Sequence, residues 1–392
     1  MKVTIWSHHD ADGIISAYLI SKFHSKDEVS LNFQKWYSFG IQPTDLTQST
    51  DLIYILDLGC SIKTLETLQK FAFQNPRITT ILIDHHLPQS QLLDYTSPNF
   101  LIVHDTNNCT TGLVYHYLKS KGYQLTPIQE QLVMIGIFAD VAQDTPQGAK
   151  ILQELGQKYP ELLWNYTYWT GKYESTIPTA GIYSRYFNTP KRVAFEKGAS
   201  IAIKALEEIE KAQSFSVLDD SLSWVTQGTA PPITDRTMDA EYPNITILNY
   251  WLAYWTQHRS EALDSSHCKT LDFPNFSFSI VNFPLAVASY IAMVKSTQKP
   301  NITINTGLPY DYFEISGRAK EESGFDLNAI AQLVNQELGT EIGGHKTAIG
   351  GAIPKTVPLK SIITSFWKVF TGASETALIE TLKKFGLEVS SE

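Results

Sequence analysis

The sequence predicts an α/β protein with an N-terminal parallel-sheet domain and a smaller C-terminal α/β domain. Three observations lead there. The runs LIYIL (52–56) and ITTILID (78–84) are almost unbroken apolar stretches, as strands buried on both faces of a parallel sheet require. Segments of helical spacing separate such runs. The chain has 392 residues, more than one compact core accommodates and about right for two domains.

Taken in order, KVTIW (2–6) reads as a first strand and GIISAYLISKF (13–23) as the helix after it. LNFQKWYSF (31–39) reads as a strand, SIKTLETLQKF (61–71) as a helix and FLIVHD (100–105) as another strand. TTGLVYHYLKSKG (110–122) and TPIQEQLVMIGIFAD (126–140) carry helical periodicity. RVAFEKGASIAIKALEEIEKAQ (192–213) reads as one long helix joining two domains. QGTAPPITDR (227–236) is loop-like, and 214–265 as a whole resists assignment. The pattern restarts with the strand FSFSIVNF (276–283), the helix PLAVASYIAMVKS (284–296) and the strands NITINTG (301–307) and DYFEISGR (311–318). A helix at 326–339 follows with Asp326 as its N-cap, then the glycine-rich GGHKTAIGGAI (343–353). The boundaries expected are 1–190 for the first domain, 191–270 for the connector helix and the unassigned segment, and 271–392 for the second domain.

Hydrophobic residues make up 43% and charged residues 18%, an ordinary globular composition. The formal net charge of −9 argues against a broad basic surface for long nucleic acid. Three cysteines (Cys60, Cys109, Cys268) without CxxC spacing argue against a disulfide framework and a thiolate zinc site. The opening MKVTIWSHHDADG has no signal-peptide core, and no apolar run reaches the roughly 18 residues of a membrane span. A reducing, cytoplasmic setting is the simplest expectation.

The chemistry concentrates where strands should end. His8, His9, Asp10 and Asp12 follow the first strand, Asp57 ends another, and Asp84, His85 and His86 end a third. In an open parallel sheet these ends converge on one crevice. Carboxylates brought that close take up either protons or metal ions. Asp and His without Cys suit hard or borderline divalent ions such as Mn2+ or Mg2+. Two ions sharing an Asp would activate water for displacement at phosphorus. Read this way, HHDAD sends alternate side chains toward one ion pair, and Gly13 lets the next helix start close by. Thr110, Thr111 and Gly112 are explained by helix capping alone. His24, His116, His258 and His267 have no such context and read as structural, and the Trp and Tyr residues at 164–173 as packing.

HHDADG, LDLG, IDHH and GIFAD, in that order, resemble the four motifs of the DHH phosphoesterases. EIGGHKTAIGGAI resembles the glycine-rich signature of the DHHA1 domain that accompanies them, with Ile342 in place of one glycine, and FEISGR resembles its arginine-bearing strand. The resemblance implies a DHH domain, a DHHA1-like domain, a cleft between the two and a two-ion phosphodiesterase site. It implies His8, Asp10, Asp12, Asp57, His85 and Asp140 as metal ligands, with Asp57 and Asp140 in bridging positions. Asp84 would orient the His85 ring, with His9 as a further supporting residue. Asp57, His85, His86 and Asp140 would form the catalytic group. His86, His104, Arg318, Gly343, Gly344 and His345 would meet the substrate. The cofactors implied are two divalent ions, Mn2+ first, with Mg2+ or Co2+ as alternatives.

The resemblance favours the branch that hydrolyses short oligonucleotides (nanoRNA) or cyclic and other small nucleotide phosphodiesters. Three alternatives stand beside it: a RecJ-like single-strand exonuclease, a phosphatase for 3′-phosphoadenosine 5′-phosphate, and a non-catalytic nucleotide-binding protein. The expected partner is a short oligonucleotide or small nucleotide, with no membrane and no long duplex; a homodimer is left open.

Overall fold

The computed structural model describes residues 1–34, 46, 50–59, 62–86, 97–169, 174–188, 195–218, 244–340 and 342–372. Residues 35–39 of the expected second strand, 170–173 of the aromatic cluster, 192–194 of the expected long helix and the loop 227–236 lie outside them. The described residues fall into two compact units, one up to Gln257 and one from His258 onward.

The first unit opens with β1 (Lys2–His8), α1 (Ala11–Phe23), β2 (Glu28–Gln34), β3 (Leu52–Leu56), α2 (Ile62–Gln74), β4 (Thr79–Asp84) and β5 (Phe100–His104). All five strands pair in parallel, in the order β2-β1-β3-β4-β5. The helices α3 (Thr110–Ser120), α4 (Pro127–Ala139), α5 (Pro146–Gly156) and α6 (Thr179–Asn188) follow, with a β6–β7 hairpin (Asn165–Trp169 and Glu174–Pro178) between the last two. One sheet face, bearing Ile5, Leu56 and Ile83, packs on α1, α3 and α4. The other, bearing Ile53, Ile55 and Leu82, packs on Leu65, Leu68 and Phe71 of α2. Every residue of β3 is buried, which is why its sequence shows no polar alternation.

Two local details differ from the sequence reading and shape the site. The strand β1 runs on to His8, and α1 begins at Ala11 with Asp10 as its N-cap. Asp12 therefore lies in the first helical turn, not on an extended continuation of the strand. The second detail concerns α7 (Phe195–Ala212), read from sequence as a connector. Its Ala202, Leu206 and Ile209 are buried in the same core as α1 and α4, together with Leu248 and Trp251 of α8 (Asn244–His258). The Tyr18 hydroxyl of α1 donates to Glu210 Oε2 at 2.7 Å, tying α7 into the first unit. The amphipathic period that suggested a long helix says nothing about which surface covers its apolar side.

The second unit contains β8 (Cys268–Asp272), β9 (Ser277–Val281), α9 (Ala288–Lys295), β10 (Asn301–Asn305), β11 (Tyr312–Arg318), α10 (Leu327–Leu338), β12 (Gly343–His345), β13 (Ala348–Pro354) and α11 (Leu359–Thr371). Its sheet runs β12-β13-β11-β10-β9-β8, with β9 and β10 the parallel pair. Ile302, Ile304, Ile315 and Ile349 face α10 and α11 in an apolar core. The alternate residues Ser277, Ser279, Asn301 and Thr303 are buried and polar, and they bond to one another: Asn301 Nδ2 donates to Ser277 and Ser279, and Thr303 donates to Asn301 Oδ1.

Candidate metal centre

The sheet order reverses between β1 and β3, because the chain passes from β1 to β2 on one side and then crosses to β3 on the other. In sheets of this kind the crevice at that reversal, beyond the carboxyl ends of the strands, is where ligands bind. His8 closes β1 there, and Asp57 follows β3.

Among the described residues the ligand atoms form three overlapping groups, within each of which they lie within 4.8 Å of one another: His8, Asp10 and Asp57; Asp57, His85 and His86; Asp12, His85 and Asp140. His8 Nδ1 is 2.8 Å from Asp10 Oδ2 and 3.7 Å from Asp57 Oδ2. The other oxygen, Asp57 Oδ1, lies 3.6 Å from His85 Nδ1 and 3.9 Å from His86 Nδ1. His85 Nε2 lies 3.1 Å from Asp140 Oδ2. Asp57 thus turns one oxygen toward each of two groups, whereas Asp140 belongs to one.

The backbone turns sharply at both carboxylates. Asp57 has φ of 57° and Val141, immediately after Asp140, also has φ of 57°. Left-handed conformations in residues other than glycine cost about 1–3 kcal/mol and persist where surrounding structure enforces them. At Asp57 the enforcing contacts include its N–H on Ile83 O at 3.1 Å and a bond to Oδ1 from the Thr110 hydroxyl at 3.1 Å. Gly13 serves the same end by its lack of a side chain. A Cβ there would lie 2.3 Å from His8 O, so only glycine lets α1 start against the end of β1.

The charges are poorly compatible by themselves. Burial, and then the nearby Asp140, push Asp12 up to about 7. Burial, with Asp10, Asp12, Asp140 and Asp84 around it, pushes Asp57 well above the ordinary carboxylate range. Burial disfavours charge on His85 too, yet Asp140 beside it raises the ring to about 9. Asp84 is buried as well, but the charge and hydrogen bonds of His86 hold it below its ordinary value. The cluster therefore demands positive charge. Its donors are carboxylate oxygens and imidazole nitrogens with no sulfur in any of the three groups, a set that fits hard or borderline divalent ions.

Other expected residues are placed as follows. Asp84 Oδ1 accepts from the His86 N–H at 2.7 Å and lies 3.2 Å from His86 Nδ1, while Oδ2 accepts from Gly59 N at 2.9 Å. The ring that Asp84 holds is thus that of His86, and it is Thr110 Oγ1 that meets His85 Nδ1, at 3.1 Å. His9 turns to the neighbouring strand, its Nδ1 bonded to Gln34 O at 2.9 Å, with its ring edge against His8. His104 ends β5 in register with Asp84, and burial lowers its pKa.

Arg318 ends β11 in the second unit and donates to Ser316 Oγ, Gly317 O, Ile349 O and Ser289 Oγ. Gly343, Gly344 and His345 form the short strand β12, paired with β13 so that His345 and Arg318 both stand opposite Ala348 on its two sides. Gly344 has φ of 146°, and a Cβ there would meet Ala348 O at 2.2 Å. The glycine-rich stretch is therefore a strand turning into a hairpin.

Two residues of the site were assigned only to capping. Both Asp12 oxygens accept backbone N–H groups at the start of α3, from Thr110 at 2.9 Å and Thr111 at 2.8 Å. The signal was the TT pair, which opens α3 while Cys109, not a threonine, is its N-cap. Its meaning depended on which carboxylate lay across the fold.

Comparison with known proteins agrees with this architecture. Residues 2–137 match the profile of the DHH family, N-terminal domain. No curated protein matches the chain significantly in sequence. Among solved structures, an exonuclease RecJ bound to manganese superposes with a TM-score of 0.57 at 15% identity, over 97% of this chain and 93% of that one. A RecJ from Thermus thermophilus in complex with Mn2+ gives 0.52 at 14% identity, over 100% of this chain and 57% of that one. The DHH domain of a member of a ribosomal-protein family gives 0.53 at 13% identity, over 100% of this chain and 87% of that one. At such identities the likeness is one of fold. The profile match places residues 2–137, with the first three motifs at the carboxyl ends of β1, β3 and β4, in the N-terminal domain of the DHH family.

Proposed function

We propose that the chain is a metal-dependent phosphodiesterase acting on short oligonucleotides or small nucleotide phosphodiesters. The observation that carries this reading is Asp57, shared between two ligand groups at the reversal point of the sheet. His8, Asp10, Asp12, Asp57, His85 and Asp140 would hold two divalent ions, Mn2+ or Mg2+. Bound there, the ions would supply Lewis acidity that neutralises a phosphate and activates a water.

The chain's own residues then have distinct tasks. Asp57 presents both oxygens in a fixed orientation, its left-handed backbone locked by Ile83 and Thr110. Asp84 holds the His86 ring through Nδ1, an orientation in which His86 Nε2 would meet a phosphate oxygen of the substrate. His104, whose ring nitrogens are buried without a hydrogen-bond partner, would approach the substrate from the neighbouring strand end. Arg318 is charged at all working pH values and suits bidentate contact with phosphate, with Gly343, Gly344 and His345 on the adjacent hairpin.

A net charge of −9 gives long strands little backbone attraction, so short substrates are favoured. The test is to incubate Mn2+-loaded protein with RNA and DNA of two, five and twenty nucleotides, cyclic mononucleotides and 3′-phosphoadenosine 5′-phosphate, and to identify the products. Oligomers of about two to five nucleotides should show the highest kcat/KM, since non-specific affinity for longer chains depends on positive charge. Equal or faster cleavage of the twenty-mer at fixed salt would replace this reading with a RecJ-like exonuclease. Absence of hydrolysis on every substrate would leave a binding protein.

A further inference from the structure

The hydroxyl of Thr110 is fully buried and stands between two members of the metal centre. His85 Nδ1 is 3.1 Å from Thr110 Oγ1, and Thr110 Oγ1 is 3.1 Å from Asp57 Oδ1. A hydroxyl has one proton to give. With the ions bound Asp57 would be ionised and could only accept, so the Thr110 proton would go to Asp57. Toward His85 the hydroxyl must therefore accept, which places a hydrogen on Nδ1. In the neutral ring, the lone pair then sits on Nε2, the nitrogen 3.1 Å from Asp140 Oδ2. Two lone-pair bearers at that distance need positive charge between them, which a proton supplies in the metal-free protein and an ion would supply in the loaded one.

We infer that Thr110 is a positioning residue of the metal centre: it sets the His85 tautomer so that Nε2 faces the ion held with Asp12 and Asp140, and it fixes the rotation of Asp57. The inference rests on the metal-centre reading above and extends it to a residue outside the ligand set. Three further contacts give the hydroxyl its place. The Thr110 N–H is bonded to Asp12 Oδ2 at 2.9 Å, so the first turn of α3 is tied to another ligand. Thr111 Oγ1 donates to Asp12 O at 3.1 Å. Gly136 of α4 admits the Thr111 side chain, since a Cβ there would lie 2.4 Å from its hydroxyl. The start of α3 is thus clamped from two sides, and Thr110 Oγ1 has little freedom to find other partners.

The roles divide by chemistry. Thr110→Val keeps the shape and the backbone bond to Asp12 but removes donor and acceptor together. Thr110→Ser keeps both. In 15N-labelled protein loaded with diamagnetic Mg2+, long-range 1H–15N correlation of the histidine rings should show His85 with its proton on Nδ1 and a deprotonated Nε2. Thr110→Val should lose that single tautomer and weaken Mn2+ binding, measured by calorimetry, about 10–100-fold, the range found when a residue supporting a ligand histidine is removed. Thr110→Ser should restore both signals.

A wild-type spectrum with the His85 proton on Nε2 overturns the inference, whether or not any variant folds. So does wild-type Mn2+ affinity in Thr110→Val, or an equal loss in Thr110→Ser, which would make the role one of packing. None of these readouts uses hydrolysis. A protein that cleaves no phosphodiester but shows the expected tautomer and affinities would refute the substrate reading and leave this inference standing.

Discussion

Gly13→Ala tests whether the start of α1 must touch the end of β1 for the metal centre to form. The new Cβ would lie 2.3 Å from His8 O and 2.9 Å from His8 C, both backbone atoms that cannot rotate away. Real Cβ atoms essentially never approach within 3.0 Å, so a gap of at least about 0.7 Å must open between helix and strand. Overpacking of this kind costs about 1–3 kcal/mol. Alanine recovers up to about 1 kcal/mol through its better helix propensity. The net loss of stability is therefore small, about 0–2 kcal/mol, and the protein should fold. The site should suffer far more. His8 sits on one side of the opened gap, and Asp10 and Asp12 on the other. The Gly13 N–H is bonded to Asp10 Oδ1 at 3.1 Å, so the capping carboxylate is pulled along. A displacement near 1 Å of catalytic groups reduces rates by about 100-fold. The assay pairs thermal unfolding without metal against Mn2+ calorimetry and kcat on a dinucleotide. A variant of near-normal stability with Mn2+ affinity and kcat within two-fold of wild type would refute the reasoning.

Asp57→Asn should separate stability from function: Asn tolerates the left-handed backbone and relieves a charge that burial and four carboxylates oppose. The metal-free melting temperature should hold or rise while kcat falls by at least about 100-fold, and a fall in both would show Asp57 to be a structural residue. Arg318→Ala should raise KM more than it lowers kcat, by about 10–100-fold for a lost charge-assisted contact, with unchanged metal content; loss of metal would remove Arg318 from the substrate role. Stability of the metal-free protein should fall as pH rises. Asp12, raised from 3.8 to about 7, binds more protons folded than unfolded, so its ionisation opposes folding through that window. His85, raised from 6.5 to about 9, contributes stability that is full below 6.5 and lost by 9. Mn2+ must displace these protons, so its stabilising effect should grow between about pH 6 and 8. Melting curves at several pH values, with and without Mn2+, check both slopes, and flat curves would contradict the stated ionisation states.

Strands in this protein are legible because burial on both faces leaves no room for polar residues: LIYIL became β3, buried throughout, and its break at Asp57 marked the sheet's ligand-binding edge. The same logic made Asp84, His85 and His86 legible after β4, and Arg318 at the end of β11. Helical period likewise showed that residues near 192–213 form a helix. It could not show that Leu206 and Ile209 pack beside α1, because an apolar stripe does not name its partner.

The partnerships within the site belong to the tertiary structure alone. Asp12 meets Thr110 and Thr111 across 98 and 99 positions of chain, and no local pattern distinguishes a threonine that merely opens a helix from one that also holds a distant ligand. The pairing of Asp84 with His86 depended on backbone geometry within three residues, which residue types do not specify. Sequence alone determined which groups lie at the strand ends, because hydrophobic burial dictates where strands stop. Which of those groups touch was decided by the β2-β1-β3-β4-β5 order and the approach of α3, since hydrogen bonds and ligand geometry depend on distances that only the packed chain defines.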